Sequence, residues 1–388
     1  MVKAFKVMLV PNNVQNTKLF QYAGAARFAY NWALAKEEEN HKNGNKFISD
    51  SELRKEFTKL RNSEEYKWLL NISNNVTKQA IKDACNAYKY FFKGRSKHPR
   101  FKSKKKSKPK FYQDNVAIQF TDTHVKIERL SLSKRPNKRK MNWVKLAECN
   151  RIPTNAKYMN PRISFDGLHW WISVCVDIPT CDNNLDKNEG IGIDLGIKNL
   201  AICSDNNIYK NINKSQKVKK LEKRKRRLQR SVSRKYQKNK KKGKYCKTNN
   251  IVKNEKLLLK VSRKLTNIRR NYLHQTTCEI VNRKPRFICI EDLNVSGMIK
   301  NKHLSKAIQN QGFYEFRRQL TYKCEEHGVQ LIVADRFYPS SKLCSCCGNI
   351  KKNLKLSDRI YRCECGNIID RDFQASINLR AYGEKFVN

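Results

Sequence analysis

Three short apolar runs, each leading to acidic residues, constrain the fold of this chain most. The runs and their acids are Ile191–Ile193 with Asp194, Phe287–Ile290 with Glu291, and Ile368–Ile369 with Asp370 and Asp372. Apolar runs of this length, bounded by turn residues, predict buried strands. An ionised carboxylate inside such a strand is costly unless something pairs with it. Asp194 alone could be a hydrogen-bonded residue at a strand end, so a shared site is predicted only from all three runs together.

Carboxylates that lie close together repel one another, so each resists ionisation while its neighbours are charged. Divalent cations remove this conflict, and oxygen ligands suit Mg²⁺ or Mn²⁺. Two such ions about 3.5–4 Å apart can hold the attacking and leaving oxygens of a phosphodiester during its displacement. If the three runs converge, the sequence predicts a magnesium-dependent site for phosphodiester hydrolysis.

The charge of the chain predicts a polyanionic partner. Lys and Arg number 83 against 34 Asp and Glu, which gives 388 residues a formal net charge of +49. Nucleic acid is the first candidate, although a ribosomal or chromatin-like structural protein would carry the same sign. The sequence has no apolar run long enough to cross a membrane and no signal-peptide core. We therefore expect an intracellular protein with no membrane partner.

The part of the chain before Asp194 predicts a small β-barrel with inserted helices. Lys3–Val10 is the expected first strand, and β-type runs recur between Val116 and Val176. Three helices are expected between them, at about residues 17–40, after the Ser49–Glu52 capping box, and over Asn75–Phe92. Residues 179–188 form a polar linker. Beyond the linker, strands alternate with helices, including one over Ser305–Glu325, which predicts a mixed α/β sheet.

A basic helical hairpin is predicted between the first two acids. Lys214–Lys244 contains 17 Lys or Arg and one acid, Glu222. Apolar residues recur at three-to-four spacing in this segment and again after Glu255, which predicts two helices. A merely solvated face would carry charges of both signs, so contact with a nucleic-acid backbone is favoured. The candidate contacts on the first helix are Lys220, Arg224 and Arg227.

A second basic segment, Lys93–Lys106, interleaves cations with Phe101. Cations contact phosphates, while aromatic rings stack on unpaired bases. Arg100 and Lys102 are therefore candidate nucleic-acid contacts. The alternative is a solvated linker.

Cysteine spacing predicts a zinc ribbon near the C-terminus. Two cysteine pairs, each followed by Gly, are separated by 15 residues. This pattern indicates a structural zinc with four thiolate ligands and no open coordination position. The expected ligands are Cys344, Cys347, Cys363 and Cys365, and Cys346 is a fifth thiol that could replace one of them. The segment after the ribbon predicts a helix with Phe373, Ile377 and Ala381 on one side.

Together these features resemble the TnpB proteins of insertion-sequence transposons, relatives of the compact type V CRISPR effectors. Four segments carry the resemblance, in matching order: Gly192–Ala201, Ile290–Leu293, Ser340–Cys344 with the cysteines that follow, and Asp370–Asn378. The basic hairpin occupies the corresponding place. Tyr30–Trp32 and Pro99–Ser103 match more weakly, so the resemblance spans nearly the whole chain but is specific mainly from residue 190 onward.

The resemblance implies an α/β multidomain architecture. In the first half of the chain it implies a wedge-type β-barrel at 1–12 and 96–185, with a helical recognition domain at 13–95. In the second half it implies a RuvC-like (RNase H-like) nuclease domain at 186–339 and 369–388, which includes the basic hairpin at 212–285. A zinc ribbon at 340–368 interrupts this nuclease domain. It also implies an RNA-guided DNA endonuclease. In that family a guide RNA pairs with the target strand of double-stranded DNA, and the protein reads a short flanking motif.

The resemblance also implies roles for single residues. Asp194, Glu291 and Asp372 would be the metal-binding, catalytic carboxylates. Asp372 is favoured over Asp370 because it directly precedes the Phe-Gln-Ala-Ser segment. Gln79 on the third helix lies where the family's flanking-motif readers lie.

Three functions compete on this reading. The first is an active nuclease, the second a nuclease-inactive RNA-guided DNA-binding repressor, and the third a resolvase or transposase that acts without RNA. Retention of all three acids argues against the second. The hairpin and the aromatic-bearing barrel exceed what the third requires. We therefore expect a cytoplasmic, nucleoid-associated nuclease that uses Mg²⁺ or Mn²⁺, structural Zn²⁺ and guide RNA, with a monomer favoured. Gln374 stands where the family usually has Asn, a change that should be tolerated if the role of this residue is to form hydrogen bonds near the metal.

Overall fold

The structure is a computed structural model that describes residues 2–131, 135, 140–178, 188–241, 243–355 and 358–387. The chain divides into two compact units, residues 1–178 and 179–388. The predicted linker at 179–188 lies, apart from its last residue, outside the described residues. Within the described part of the chain, no helix combines the length and apolar character needed to cross a bilayer.

The first unit contains a seven-stranded antiparallel sheet in the order β2-β6-β7-β1-β5-β4-β3. Its strands are β1 (Val2–Val10), β2 (Lys110–Tyr112), β3 (Gln119–Phe120), β4 (His124–Lys126), β5 (Trp143–Leu146), β6 (Tyr158–Phe165) and β7 (Trp170–Asp177). Alternating burial along β7 turns Trp170, Ile172 and Val174 into the core. β2 and β3 lie at opposite ends of this order. A closed barrel would need a pairing between them, so the barrel stays a prediction.

Three helices lie between β1 and β2 and share one apolar core with the sheet. They are α1 (Asn13–Lys42), α2 (Asp50–Asn62) and α3 (Asn74–Phe92), with a 3₁₀ turn at Glu64–Asn71. The capping box at Ser49 and Glu52 is confirmed, because each side chain accepts a hydrogen bond from the other residue's backbone amide. The indole of Trp170 donates a hydrogen bond of 2.8 Å to Asn16, which fixes α1 against the sheet.

The second unit contains a five-stranded mixed sheet in the order β10-β9-β8-β13-β14. Its strands are β8 (Ile191–Leu195), β9 (Asn199–Cys203), β10 (Ile208–Lys210), β13 (Phe287–Glu291) and β14 (Gln330–Ala334). β8, β9 and β10 pair in antiparallel fashion, while β13 runs parallel to both β8 and β14. This confirms the mixed sheet expected from the alternating strands and helices.

Six helices accompany this sheet in the described residues. They are α4 (Gln216–Lys238), α5 (Asn249–Asn282), α6 (Val295–Lys300), α7 (Ser305–Gln311), α8 (Phe313–His327) and α9 (Arg371–Glu384). The short hairpin β11 (Lys240–Lys241) and β12 (Lys244–Tyr245) joins α4 to α5, and β15 (Ile360–Arg362) pairs with β16 (Ile368–Asp370) just before α9. The predicted basic hairpin is therefore confirmed, with its second helix beginning at residue 249 rather than 255.

Several expectations about individual elements are wrong. The helix expected over Ser305–Glu325 is broken at Gly312, whose φ of +75° ends α7. Of the strand expected over Val116–Phe120, only Gln119–Phe120 forms a strand, because residues 115–117 form a turn. The strands at 110–112 and 158–165 were not expected. The apolar side expected for α9 is also wrong, since Ala381 is exposed and the buried face includes Gln374, Ser376 and Asn378.

Candidate active site

Asp194 and Glu291 lie side by side at one edge of the mixed sheet. β8 and β13 are parallel neighbours, and Ile193 is in register with Ile290. The next residues along the two strands, Asp194 and Glu291, are therefore adjacent, and neighbouring strands lie about 4.8 Å apart. The parallel pairing thus brings together two acids that are 97 residues apart in sequence (291 − 194).

Both carboxylates face the C-terminal helix. Along β13, Ile288 and Ile290 pack into the core under α5 and α8, whereas Phe287 and Cys289 pack with Leu379 of α9. Glu291 shares the face of Phe287 and Cys289 because side chains alternate along a strand. The same alternation places Asp194 on the face of Gly192.

Gly192 allows α9 to approach β8 closely. A Cβ atom at this position would lie 2.1 Å from the carbonyl oxygen of Ser376 and 2.3 Å from the backbone nitrogen of Arg380. The helix backbone therefore rests directly on the strand. Asp372 lies four residues, about one turn, before Ser376, so it is at the same end of the sheet as Asp194.

The three acids interact electrostatically. Burial raises the pKa of Asp194 well above its usual value, and the charges of Glu291 and Asp372 raise it further. Burial also raises the pKa of Glu291, which a hydrogen bond from Ser340 partly offsets, while Asp372 adds to the increase. The site therefore concentrates carboxyl groups whose joint ionisation is unfavourable without a cation.

Ser340 orients Glu291, and sequence reasoning missed it. Its hydroxyl donates a hydrogen bond of 2.6 Å to Oε1 of Glu291. The carbonyl of Ser340 in turn accepts a hydrogen bond of 2.7 Å from the buried amide of Asn378, which also donates to the carbonyl of Leu343 at 2.7 Å. α9 and the segment before the cysteines thus hold Glu291 through Ser340. The sequence signal that could have pointed to Ser340 is its place in the segment Ser340–Cys344, one of the segments that carry the family resemblance.

Two acids next to the predicted ligands have other partners. Asp370 is the N-cap of α9, and its Oδ1 accepts hydrogen bonds from the backbone amides of Asp372 and Phe373. Asp292 is half-buried and bonded to Arg317 and Arg336, whose hydrogen bonds lower its pKa. Asp372, whose side chain does not cap the helix, is therefore the better candidate of the C-terminal pair.

The four predicted cysteine ligands converge. Sulfur atoms of Cys344, Cys347, Cys363 and Cys365 all lie within 4.8 Å of one another, and two of the pairs are 3.6 Å and 3.5 Å apart. Zn–S bonds of about 2.3 Å in a tetrahedron place sulfurs about 3.8 Å apart, so the donor set and spacing fit zinc. Cys346 is exposed and outside this group. Among the described residues, Asp194, Glu291 and Asp372 do not form a group as tight as these four cysteines.

Gln374 contacts the cysteine-bearing segment, and its hydrogen bonds go there rather than to the three acids. Its Oε1 accepts from Ser345 at 3.0 Å and from Asn367 at 3.3 Å, and its amide donates to the carbonyl of Leu343 at 2.7 Å. Asn367 also donates to the sulfur of Cys344 at 3.5 Å. Gln374 thereby ties α9 to the cysteine cluster.

The candidate nucleic-acid contacts on the hairpin are exposed. α4 and α5 pack through Val218, Val261 and Leu265. The sole acid of the basic segment, Glu222, is used internally, because it binds Arg269 of α5 at 2.7 Å. Lys220, Arg224 and Arg227 all point away from this seam. The outer face of α4 is therefore free of negative charge.

The candidates in the first unit have different environments. Arg100 is exposed, but Lys102 is half-buried, with its ammonium 2.9 Å from the centre of the Tyr30 ring. Burial and the nearby Lys110 lower the pKa of Lys102 to about 7. Gln79 donates a hydrogen bond of 2.9 Å to Asp83. The structure thus brings Gln79 and Lys102 close to the ion pair between Asp83 and Arg162. The side chain of Arg100 is exposed to solvent.

Family models match most of the chain in three segments. A "Cas12f1-like, TNB domain" matches residues 313–379, which contain the cysteine cluster. A "Probable transposase" model of the OrfB IS605 type matches residues 173–302, which contain Asp194 and Glu291. A "Helix-turn-helix domain" model of the same type matches residues 1–46, which here form β1 and the single long helix α1.

Similar proteins extend over almost the whole chain. "Putative RNA-guided DNA endonuclease InsQ" of Escherichia coli K12 is 30% identical over 379 residues, 94% of this chain and 87% of that protein. A "Putative RNA-guided DNA endonuclease" of Streptomyces pristinaespiralis is 30% identical over 98% of this chain and 89% of its own length. A solved "Cas12f1-sgRNA-target DNA complex" matches 98% of both chains with a TM-score of 0.59 and 14% identity, so it shares the fold. On this identity and coverage, the chain belongs to the TnpB family of insertion-sequence proteins.

Proposed function

We propose that this chain is an RNA-guided DNA endonuclease that hydrolyses phosphodiester bonds at Asp194, Glu291 and Asp372. The observation that carries the proposal is the meeting of two half-buried acids, Asp194 and Glu291, on parallel strands, with a third, Asp372, on α9. The charges of Glu291 and Asp372 both raise the pKa of Asp194. The names of the relatives with 30% identity over more than nine-tenths of the chain support the same activity.

The donor set at the three acids fits Mg²⁺ or Mn²⁺. Burial and mutual repulsion disfavour ionisation of Asp194 and Glu291, and hard divalent cations reverse that preference. When bound, a pair of these ions would polarise the scissile phosphate and lower the pKa of the attacking water. The four cysteines would hold a structural Zn²⁺.

The residues of the chain perform the positioning. The strand backbone holds Asp194, and the Ser340 hydroxyl fixes the orientation of the Glu291 carboxylate. Asp372 lies in the first turn of α9, whose N-cap is Asp370. Arg371 lies close enough for its charge to lower the pKa of both Asp194 and Glu291, so it is placed to favour their ionised forms. The carboxylates are thereby prepared to act as ligands.

The domain assignment is part of the proposal. The sheet with Asp194 and Glu291, at 186–339 and 369–388, would be a RuvC-like nuclease domain, and 340–368 its zinc ribbon. The sheet of the first unit, at 1–12 and 96–185, would be the wedge domain, and 13–95 the recognition helices. The boundary between 185 and 186 lies outside the described residues.

The partners follow from the charge and the family. Guide RNA and target double-stranded DNA would bind the basic surfaces, with Lys220, Arg224 and Arg227 contacting phosphates. Arg100 and Lys102 would bind nucleic acid in the first unit. Gln79, already oriented by Asp83, would contribute to reading the flanking motif. The protein would act as a monomer at the prokaryotic nucleoid.

Asp194→Asn tests the proposal, because it removes one charge without changing side-chain volume. We expect loss of measurable target-DNA cleavage and unchanged affinity for guide RNA. Glu325→Gln, which removes one exposed charge from α8 of the same unit, is the matched control. Cleavage that persists in Asp194→Asn would refute the site. A wild-type protein that binds guide and target without cutting would instead support the nuclease-inactive repressor.

A further inference from the structure

A groove in the first unit lies between α1 and the basic segment that precedes β2. Its volume is about 880 Å³, whereas sites for small organic molecules span roughly 300–1,000 Å³, so it has room for a nucleotide and part of its neighbours. The groove is lined by an exposed face of α1, by residues 104–109 and by residues 165–167. We call it the α1 groove.

The α1 groove carries an unbalanced positive charge. Its lining contains one acid, Asp166, and five cations, which are Arg27, Lys104, Lys105, Lys106 and Lys108. The Asp166 carboxylate already accepts hydrogen bonds from the backbone amides of Leu168 and His169, at 3.0 Å and 2.9 Å. Within the described part of the chain, Arg27 has no carboxylate partner. An excess of four positive charges around one groove attracts a polyanion.

An ordered turn presents three of these cations, Lys104–Lys106. The carbonyl of Ser103 accepts a hydrogen bond of 2.9 Å from the amide of Ser107, and the Ser103 hydroxyl accepts one of 3.1 Å from the amide of Lys106. The carbonyl of Pro109 accepts a hydrogen bond of 2.9 Å from Phe165, which ties the segment to the end of β6. The backbone that carries the exposed ammonium groups is therefore fixed beside α1.

Phe20 places an aromatic ring in the α1 groove. The residue is 39% exposed, and its ring packs edge to face against Phe165 and Trp170, with centroids 5.0 Å and 4.9 Å away. These contacts hold the ring in one orientation while part of it stays open to solvent. A fixed aromatic ring among cations suits an unpaired nucleotide, whose base stacks on the ring while its phosphates contact the cations.

Gly24 has no role that the protein's own atoms explain. It lies inside α1, four residues after Phe20 and three before Arg27, so all three share one helix face. Glycine destabilises a helix interior relative to alanine. A Cβ atom at Gly24 would meet nothing within 4 Å, so packing does not require its absence. A molecule that lies against the helix backbone would require it.

We infer that the α1 groove binds an unpaired nucleotide of the guide RNA, with its base on Phe20 and its ribose against the helix backbone at Gly24. The phosphates on either side of this nucleotide contact Arg27 and the turn that carries Lys104–Lys106. This inference rests on the proposed function, which makes guide RNA a partner, and it adds a binding site for one nucleotide of that RNA.

The chemistry of the α1 groove favours unpaired RNA over a duplex or DNA. The bases of a duplex are stacked on one another, so none of them could stack on Phe20. The groove also contains two exposed neutral groups, the Thr17 hydroxyl and the Gln21 amide. The Thr17 hydroxyl donates to the carbonyl of Asn13 at 3.0 Å, so its oxygen can still accept. A 2′-hydroxyl can donate to Thr17 and accept from Gln21, and deoxyribose has no such group.

The test uses the full-length protein and the RNA that co-purifies with it, sequenced and transcribed in vitro. Gly24→Leu puts a side chain into the α1 groove and removes no cation. We expect the affinity for this RNA to fall about tenfold or more, as for the loss of one stacked base. The unfolding temperature of the free protein should stay the same or rise, because leucine favours a helix more than glycine does. Ala35→Leu adds similar bulk at an exposed position of α1 outside the groove, and should leave the affinity unchanged.

Acylation of 2′-hydroxyl groups, which marks flexible nucleotides, locates the occupant in the RNA. We expect an unpaired nucleotide to be protected in the wild-type complex and to become reactive again in Gly24→Leu. Phe20→Ala should also restore its reactivity and weaken binding about 5- to 150-fold. Phe20→Tyr keeps the ring and should keep the protection. Thermal unfolding of each variant checks that it folds.

The outcomes distinguish this inference from the proposed function. If Asp194→Asn abolishes cutting but Gly24→Leu changes neither the RNA affinity nor the protection, the groove site is refuted and the nuclease stands. Weaker binding of target DNA with unchanged binding of RNA in Gly24→Leu would assign the groove to DNA and refute the inference. Changes confined to paired nucleotides would refute the selection of unpaired RNA. If Asp194→Asn still cuts, the proposed active site itself is refuted.

Discussion

At the scale of single residues, the sequence points to the three candidate acids but not to the hydroxyl group that contacts one of them. Asp194 and Glu291 could be predicted because each ends a buried apolar run, where an unpaired charge would be costly. Ser340 could not be assigned a role, since its contact with Glu291 joins residues 49 positions apart through an element with no regular periodicity. A hydroxyl that donates to a carboxylate is recognisable only once the fold brings them together.

Ser340→Ala should weaken metal binding without unfolding the protein. The Ser340 hydrogen bond lowers the pKa of Glu291, so its loss raises that pKa above its already elevated value. Because a metal ligand must be ionised, the Mg²⁺ concentration for half-maximal cleavage should rise about 10- to 100-fold. The measurement is a Mg²⁺ titration of the cleavage rate, with Mn²⁺ binding measured separately by paramagnetic resonance.

The sign of the pH dependence provides a second test of Ser340. Protonation competes with metal most where pH is below the pKa of Glu291, and Ser340→Ala moves that pKa upward. The ratio of variant to wild-type Mg²⁺ midpoints should therefore grow as pH falls and shrink as pH rises. Thr321→Ala removes an exposed hydroxyl of α8 that donates to the backbone carbonyl of Arg317, and should show no such trend. A ratio that is the same at every pH would contradict this role.

At the scale of elements, the positions of helices and strands were largely predictable, and the buried face of α9 was not. A buried helix face is normally apolar, so Phe373, Ile377 and Ala381 were expected to face inward. α9 instead buries Gln374, Ser376 and Asn378. The amides of Gln374 and Asn378 donate to the carbonyl of Leu343 beside the cysteines, and the hydroxyl of Ser376 donates to the carbonyl of Phe373 within α9 itself. Here the buried face of the helix is decided by hydrogen bonds to irregular backbone rather than by hydrophobic periodicity. The hydrophobic pattern of the sequence does not predict such bonds.

Gln374→Ala should loosen the zinc ribbon. The substitution removes the acceptor of Ser345 and one acceptor of Asn367, which keeps its bond to the sulfur of Cys344, while the carbonyl of Leu343 keeps its bond from Asn378. Ser345 is exposed and Asn367 is half-buried, so water can replace the lost acceptor. Each lost hydrogen bond then costs about 0.5–1.5 kcal/mol, and we expect the ribbon to open more often. The prediction is about one zinc per wild-type chain and clearly faster zinc release to a colorimetric chelator from the variant.

Gln374→Asn provides a graded comparison for the same contact. Asn is one methylene shorter, so it can reach some but not all of the three partners, and its rate of zinc release should fall between those of wild type and Gln374→Ala. Gln330→Ala, on the edge of β14 and exposed, is the control for a lost amide. Zinc release that is unchanged in Gln374→Ala would mean that the ribbon is held by its own thiolates alone.

At the scale of the whole molecule, the composition predicted the class of partner. It did not predict the order of the strands, which only the structure shows. A net charge of +49 favours a polyanionic partner but contains no information on the order of strands in a sheet. The mixed sheet could be expected from alternating strands and helices, yet the short strands β2 and β3 of the first unit carry too few residues to show periodicity. Short strands are specified by their neighbours in the sheet, which sequence alone does not reveal.

The charge on the outer face of α4 should appear in the salt dependence of guide-RNA binding. If Lys220, Arg224 and Arg227 each neutralise one phosphate, replacing all three with Gln should lower the slope of log affinity against log salt by about two to three units. The same change of charge at exposed Lys42, Lys46 and Lys55 in the first unit should have a smaller effect on the slope. Fluorescence anisotropy of labelled guide RNA over a range of salt concentrations measures both. Equal loss in the two triple variants would mean that RNA responds to net charge alone, because a defined backbone contact depends on where the cations lie.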